Sequence, residues 1–80
     1  MSRLEVRGQT LDEAIPAVES FLDQAYLGGL ARLELVHGKG TGTLRQAVRE
    51  LLRTHPLVSS YAGAERQEGG EGVTIVRMAV

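Results

Sequence analysis

The 80-residue sequence contains no cysteine, which excludes a disulfide framework, a zinc knuckle and a thiol nucleophile and leaves no sign of an oxidising compartment. Long apolar runs are missing as well. Nothing approaches the roughly 18 to 20 residues needed to span a bilayer, and Met1-Ser2-Arg3 lacks the apolar stretch of a signal peptide. A soluble, cytoplasmic domain with no membrane partner is expected. Nor is there an excess of one charge. Nine Lys plus Arg against ten Asp plus Glu give a net charge of -1, so attraction to nucleic acid does not follow from the total. A chain this short buries only about 60 to 65% of the surface its unfolded form exposes, enough for one core and not two. Residues 1–80 are therefore read as a single domain.

What charge there is lies unevenly. Residues 1–36 carry three basic and six acidic side chains, residues 37–55 four and one, and residues 56–80 two and three, so only the middle block is basic. Eight of the nine cations are arginine, whose planar fork suits bidentate contact with phosphate or carboxylate, although arginine usage also follows genome composition.

Leu4 to Arg7 alternates apolar and polar residues and stops at Gly8, the pattern of a short half-buried strand ending at Arg7, with Glu5 and Arg7 on one face. Thr10 and Glu13 form a capping-box pattern, and the helical spacing of Leu11, Ala14, Ile15, Val18, Phe21, Leu22 and Ala25 predicts a helix that Gly28-Gly29 ends, with Pro16 expected to kink it or distort its first turn. Leu33 to Val36 predicts a second strand. It runs into His37 and the glycine-rich Gly38-Lys39-Gly40-Thr41-Gly42. Thr43, with Gln46 three residues on, is the expected cap of a second helix with an apolar stripe of Leu44, Ala47, Val48, Leu51 and Leu52, stopped by His55-Pro56. Arg45, Arg49 and Arg53 make its opposite stripe, read by default as a solvated face, and His55 is expected to meet the carbonyl end of its helix. Val58 to Ala64 and Val73 to Val80 predict two more strands joined by a mobile, glycine-rich hairpin connection. The order is β-α-β-α-β-β, an α/β protein built as a two-layer α+β sandwich: a four-stranded mixed sheet with two helices on one face.

In such a sheet ligands bind beyond the carboxyl ends of the parallel strands. Arg7 and His37 end those strands, and the loop from Gly38 to Gly42 feeds a helix N-terminus whose free NH groups favour an anion. The loop is neither a Walker A nor a G-x-G-x-x-G dinucleotide turn, and a glycine cluster here also serves as a plain tight turn. Convergence separates the two readings: Glu5, Arg7, His37, Lys39 and the loop amides are expected to meet at one sheet edge. His37 and Arg7 are both placed at the open mouth of the strand ends, where truncation alters stability by no more than about 1 kcal/mol.

Leu4-Glu5-Val6-Arg7-Gly8, His37-Gly38-Lys39-Gly40-Thr41-Gly42 with Leu44-Arg45, His55-Pro56-Leu57-Val58, and Glu68-Gly69-Gly70-Glu71-Gly72-Val73-Thr74 together resemble the small MutS-related (Smr) domain from about residue 4 to 79. The glycine-rich hairpin is most similar to the C-terminal Smr domain of the second bacterial MutS paralogue family, which restrains recombination. The resemblance implies a fold like the C-terminal domain of translation initiation factor three, and a domain excised from the C-terminus of a longer protein whose other domains are partners. It implies a DNA-nicking endonuclease acting on DNA, branched DNA included. The alternative is a non-catalytic module gripping branched DNA or ribosomal RNA, with a carboxylate-capturing protein-interaction domain as a third class. The family's L-D-x-R/H motif maps onto Leu4 to Arg7 with Glu5 in place of aspartate, and its H-G-x-G motif maps onto His37, Gly38, Lys39 and Gly40 without departure.

On this reading Arg7 and Lys39 hold and neutralise the scissile phosphate, and the Gly38, Gly40, Thr41 and Gly42 backbone, Arg45 and Arg49 bind the nucleic acid. His37 is the expected general acid or base, and Glu5 orients His37, activates water or helps bind a divalent cation such as Mg or Mn. No tightly bound cofactor is expected, and one carboxylate with one histidine makes a poor hard-cation site unless substrate oxygens complete it.

Overall fold

Thr10 caps the first helix as its sequence predicts: the hydroxyl accepts from the Glu13 amide at 3.3 Å while the Glu13 carboxylate accepts from the Thr10 amide at 2.9 Å. In the computed structural model, which describes residues 2–80, this helix is α1, Leu11–Leu27, between strands β1, Arg3–Glu5, and β2, Arg32–Val36. It runs as one continuous helix through Pro16. Pro16 and Asp12 are both exposed, so the carbonyl that loses its partner faces water. At the other end Gly29, at φ +72°, turns the chain so that its amide reaches the Tyr26 carbonyl and the Leu30 amide reaches Ala25, both about 3 Å away.

The second helix, α2, spans Thr43–Thr54, followed by strands β3, Val58–Gly63, and β4, Val73–Met78. Its cap is Gly42 at φ +88°, not Thr43 as expected, because the turn closed by the Gly42 amide on the Lys39 carbonyl needs a left-handed residue there. Thr43 becomes the first helical residue, and its hydroxyl bonds that of Thr41 at 2.8 Å. His55 ends the helix, but its ring Nδ1 accepts from the Leu57 amide at 3.2 Å instead of meeting the helix carbonyls.

The sheet order is β1-β2-β4-β3. β1 and β2 pair in parallel, and β4 lies antiparallel to both β2 and β3, standing between the two strands that a second β-α-β unit would set side by side. Both helices cover one face. Leu33, Leu35, Val76 and Met78 pack there against Ala14, Val18, Leu22, Val48 and Leu52. A fully buried leucine or valine side chain contributes about 1.5–3 kcal/mol, so this layer holds the fold together. On the outer face Val36, Val73 and Ile75 form a smaller buried cluster. The Glu65 to Gly72 connection folds over it as two short 3-10 turns. It is pinned where mobility was expected: Arg32 Nη2 meets Glu68 Oε2 at 2.8 Å, and Gly69 lies on Val73 so closely that a Cβ there would stand 2.3 Å from a valine methyl. No described helix is long and apolar enough to cross a membrane.

Candidate functional site

The strand alternation that buries Leu33 and Leu35 continues one step past the end of β2 and buries His37, which is only 3% exposed. This corrects the expected position at an open strand mouth. The ring Nδ1 lies 2.9 Å from the Gly38 carbonyl, and Nε2 lies 2.8 Å from the hydroxyl of Thr74, itself 0% exposed. Arg49 Nε donates to the same hydroxyl at 3.2 Å. A carbonyl can only accept and a guanidinium can only donate, so Nδ1 carries the proton that meets Gly38 and Arg49 donates to Thr74. In the neutral imidazole that burial favours, the Thr74 hydroxyl donates to Nε2, and both ring nitrogens are engaged. Burial holds its pKa below the ordinary 6.5, against the Gly38 carbonyl and with the help of the Arg49 and Arg45 charges.

Thr74 is the residue that sequence reasoning missed. It lies in a run of β-branched strand formers, where a threonine carries no sign of a buried partner 37 positions away.

Past β1 the chain turns on Gly8, and the Gln9 amide closes on the Val6 carbonyl at 3.1 Å, so the strand stops at Glu5 and Arg7 sits in the turn beyond it. Arg7 and Glu5 form an ion pair at half-exposed side chains. The pairing register puts Glu5 opposite Val36, on the outer face, while His37 projects toward the helices. Glu5 therefore orients Arg7 and not His37. Arg7, His37, Lys39 and Arg45 do come together, along a groove of about 510 Å³ that also takes in Thr41, Gly42 and Thr43. No carboxylate lines it.

Three glycines serve as floors for three guanidinium arms. A Cβ on Gly38 would lie 3.0 Å from Arg7 Cγ, one on Gly42 3.0 Å from Arg45 Nη2, and one on Gly63 3.3 Å from Arg49 Nη2. The arginine stripe of α2 is therefore not a uniformly solvated face: only Arg53 is exposed, paired with Glu50. Of the loop amides, Gly38 donates to the Gly72 carbonyl at 3.0 Å and Gly42 to Lys39, so neither is free for a ligand. α2 has no side-chain cap and no acidic residue in its first turn, whereas α1 has both. The Leu44 and Arg45 amides precede the first helical bond, from Gln46 to Gly42, and open at the groove. Among the described residues no three His, Asp or Glu side chains converge as metal ligands, and Glu5 is committed to Arg7, so these residues do not by themselves fit a divalent-cation site.

The family model described as the Smr domain matches residues 4–79. The chain belongs to the Smr domain family. Its sequence is 51% identical over 75 residues to the endonuclease MutS2 of Caldicellulosiruptor saccharolyticus, covering 94% of this chain and 10% of that protein. The endonuclease MutS2 of Pelotomaculum thermopropionicum is also 51% identical, over 76 residues. The Smr chain thus spans about a tenth of the length of the curated relatives it matches. The crystal structure of the Smr domain of Thermus thermophilus MutS2 superposes with a TM-score of 0.97 at 46% identity and covers both chains completely. YdaL, a stand-alone small MutS-related protein from Escherichia coli, superposes at 0.92 with 29% identity over 96% of this Smr chain and 63% of its own. The order of two helices and four strands expected from the sequence is the Smr fold.

Proposed function

We propose that this Smr domain is a DNA-nicking endonuclease module that hydrolyses phosphodiester bonds within a larger recombination-restraining protein. The observation that carries the reading is the first groove: Arg7, Lys39 and Arg45 converge on an uncapped helix start with no carboxylate among them. Such a site suits a backbone phosphate. Arg7, oriented by Glu5, and Lys39 hold and neutralise the scissile phosphate, and the first-turn amides of α2 take a share of the charge that develops during attack by water. The relatives named as MutS2 endonucleases support hydrolysis as the reaction class.

We give His37 the task of holding the Gly38-Lys39 loop, in place of the general acid or base expected from its ordinary pKa. Proton transfer needs a ring nitrogen within hydrogen-bond reach of the substrate or its water, and Gly38 and Thr74 occupy both. The same observation favours a second reading, in which the domain grips branched DNA or ribosomal RNA without cutting it.

Single-turnover nicking of supercoiled plasmid at saturating protein, with Mg²⁺, with Mn²⁺ and with EDTA, separates the two. A nuclease cuts as wild type and slows about 10²-fold or more in Arg7→Ala even when saturated. Binding without cutting under all three conditions makes the domain a binding module.

A further inference from the structure

Arg7 is paired with Glu5, Arg77 lies apart on the outer face, and the other seven cations divide into two sets. Arg3, Arg32 and Arg53 each meet a carboxylate on Glu34, Glu68 or Glu50 at ordinary ion-pair distance. Lys39, Arg49 and Arg66 form no ion pair among the described residues, and Arg45 has only Glu71, 3.9 Å away, whose side chain is 82% exposed. These four under-neutralised cations line one groove of about 730 Å³ between α2 and the Glu65 to Gly72 connection. Glu71 is the sole carboxylate on its wall.

Two of the cations are held in place. Arg49 is anchored through Nε on Thr74, which leaves its Nη2 end over Gly63, where a Cβ would press on it at 3.3 Å. Arg45 lies over Gly42. Lys39 and Arg45 also line the first groove, so the two clefts adjoin along these side chains. The connection bearing Arg66 is fixed to the sheet by Arg32–Glu68 and by the seat of Gly69 on Val73. A cleft with four cations, adjoining a candidate phosphate site and walled by an anchored segment, fits the next stretch of the same polyanion.

We propose that this second groove binds the sugar–phosphate backbone flanking the scissile phosphate, with Arg66 and Arg49 as the contacts and Glu71 as a carboxylate that the arriving phosphate displaces from Arg45. The proposal rests on the nucleic-acid reading of the first groove and extends it to a segment, the hairpin connection, to which no part in binding has yet been given. A carboxylate in the path of a phosphate weakens binding, so removing its charge tightens it. That sign is opposite to the one expected if Glu71 merely shaped the site.

The test is fluorescence anisotropy with a fluorescein-labelled 20-base-pair DNA duplex, titrated across salt, for wild type, Arg66→Ala, Glu71→Gln and Arg7→Ala, with circular dichroism as the check on folding. Arg66→Ala is expected to weaken binding about five- to tenfold at 0.1 M salt and to lower the slope of log affinity against log salt by about one. Glu71→Gln is expected to tighten it by about threefold. If Arg7→Ala weakens binding while Arg66→Ala and Glu71→Gln match wild type in affinity and slope, the second groove is refuted and the first stands. If Arg66→Ala weakens binding while Arg7→Ala does not, the proposal holds and the phosphate site at Arg7 is wrong. Wild-type affinity and slope in all three variants would overturn both.

Discussion

Replacing His37 with alanine tests the buried chain directly. The ring is 3% exposed and makes two hydrogen bonds, so its removal strips the Gly38 carbonyl of a donor and the Thr74 hydroxyl of an acceptor. An orphaned buried polar group costs about 1–3 kcal/mol, and water entering from the adjoining groove recovers part of one bond, so the expected loss is about 2–4 kcal/mol. Against a typical total of about 5–15 kcal/mol that is a large fraction. At about 4–8 °C per kcal/mol for a domain of this size, the melting temperature is expected to fall by about 8–32 °C. His37→Asn keeps an amide donor for Gly38 and is expected to lose about half as much. Arg7→Ala, at a side chain 62% exposed, is the control, with an expected change within about 0.5 kcal/mol. Thermal and urea denaturation followed by circular dichroism measure all three. A His37→Ala protein melting within about 2 °C of wild type would refute the reasoning, since the two bonds would then hold nothing.

The pH dependence has a definite sign. Because the ring pKa is depressed in the fold, the stability His37 contributes is complete above about pH 6.5 and is lost as the pH falls through that value toward the folded pKa, the unfolded chain taking the proton first. Urea midpoints should drop between pH 7.5 and 5.5 in wild type and stay nearly flat in His37→Asn; equal drops would count against the depressed pKa. The Glu34 carboxyl, held low chiefly by its bond from Arg32, loses its contribution in a separate window, below about 4.5. Neutralising Lys39 and Arg45 together should lower the salt slope of DNA binding by about two, read by anisotropy, and an unchanged slope would move the contact surface elsewhere. Gly69→Ala, which forces a Cβ against Val73 at φ +121°, is expected to cost about 2 kcal/mol or more, whereas Gly8→Ala, with open space around it, costs about 1 kcal/mol. Equal melting temperatures for those two variants would show that the connection is not seated on the sheet.

What could be read from the sequence was local. Thr10 and Glu13 announced their capping box, and most of the apolar stripe of each helix reaches the core, because its 3.6-residue periodicity is set by the helix alone; Leu11, at the first turn, stays exposed, and Ile15 and Ala47 lie outside the core cluster. The burial of His37 was also within reach, since Leu33, Leu35 and His37 fall on alternate positions. A histidine at a strand end invites a chemical reading, and that masks the alternation that buries it. The insertion of β4 between β2 and β3 was not legible, for pairing between strands 37 or more residues apart is decided by the whole core. The same holds for the hairpin connection: three glycines between Gln67 and Val73 read as mobility, and only the distant Arg32 and the seat of Gly69 on Val73 show why it is anchored. Of the candidate site residues, Arg7, His37, Lys39 and Arg45 meet as expected, and Glu5 falls to the other side because one step along a strand reverses the face.

The position of β4 also governs the order of assembly. The last strand of the fold is one of its two central strands, flanked on both sides by partners made earlier. As the chain leaves the ribosome, β2 and β3 have no common neighbour to pair with until Val73–Met78 emerges, and the Thr74 hydroxyl that engages His37 arrives only then. A nascent chain stopped before Val73 has both helices but only the β1–β2 ladder, with apolar faces left open to other chains. Completion of the sheet and completion of the candidate site are therefore one late event, and a chaperone or protease meets either the unclosed chain or the finished domain.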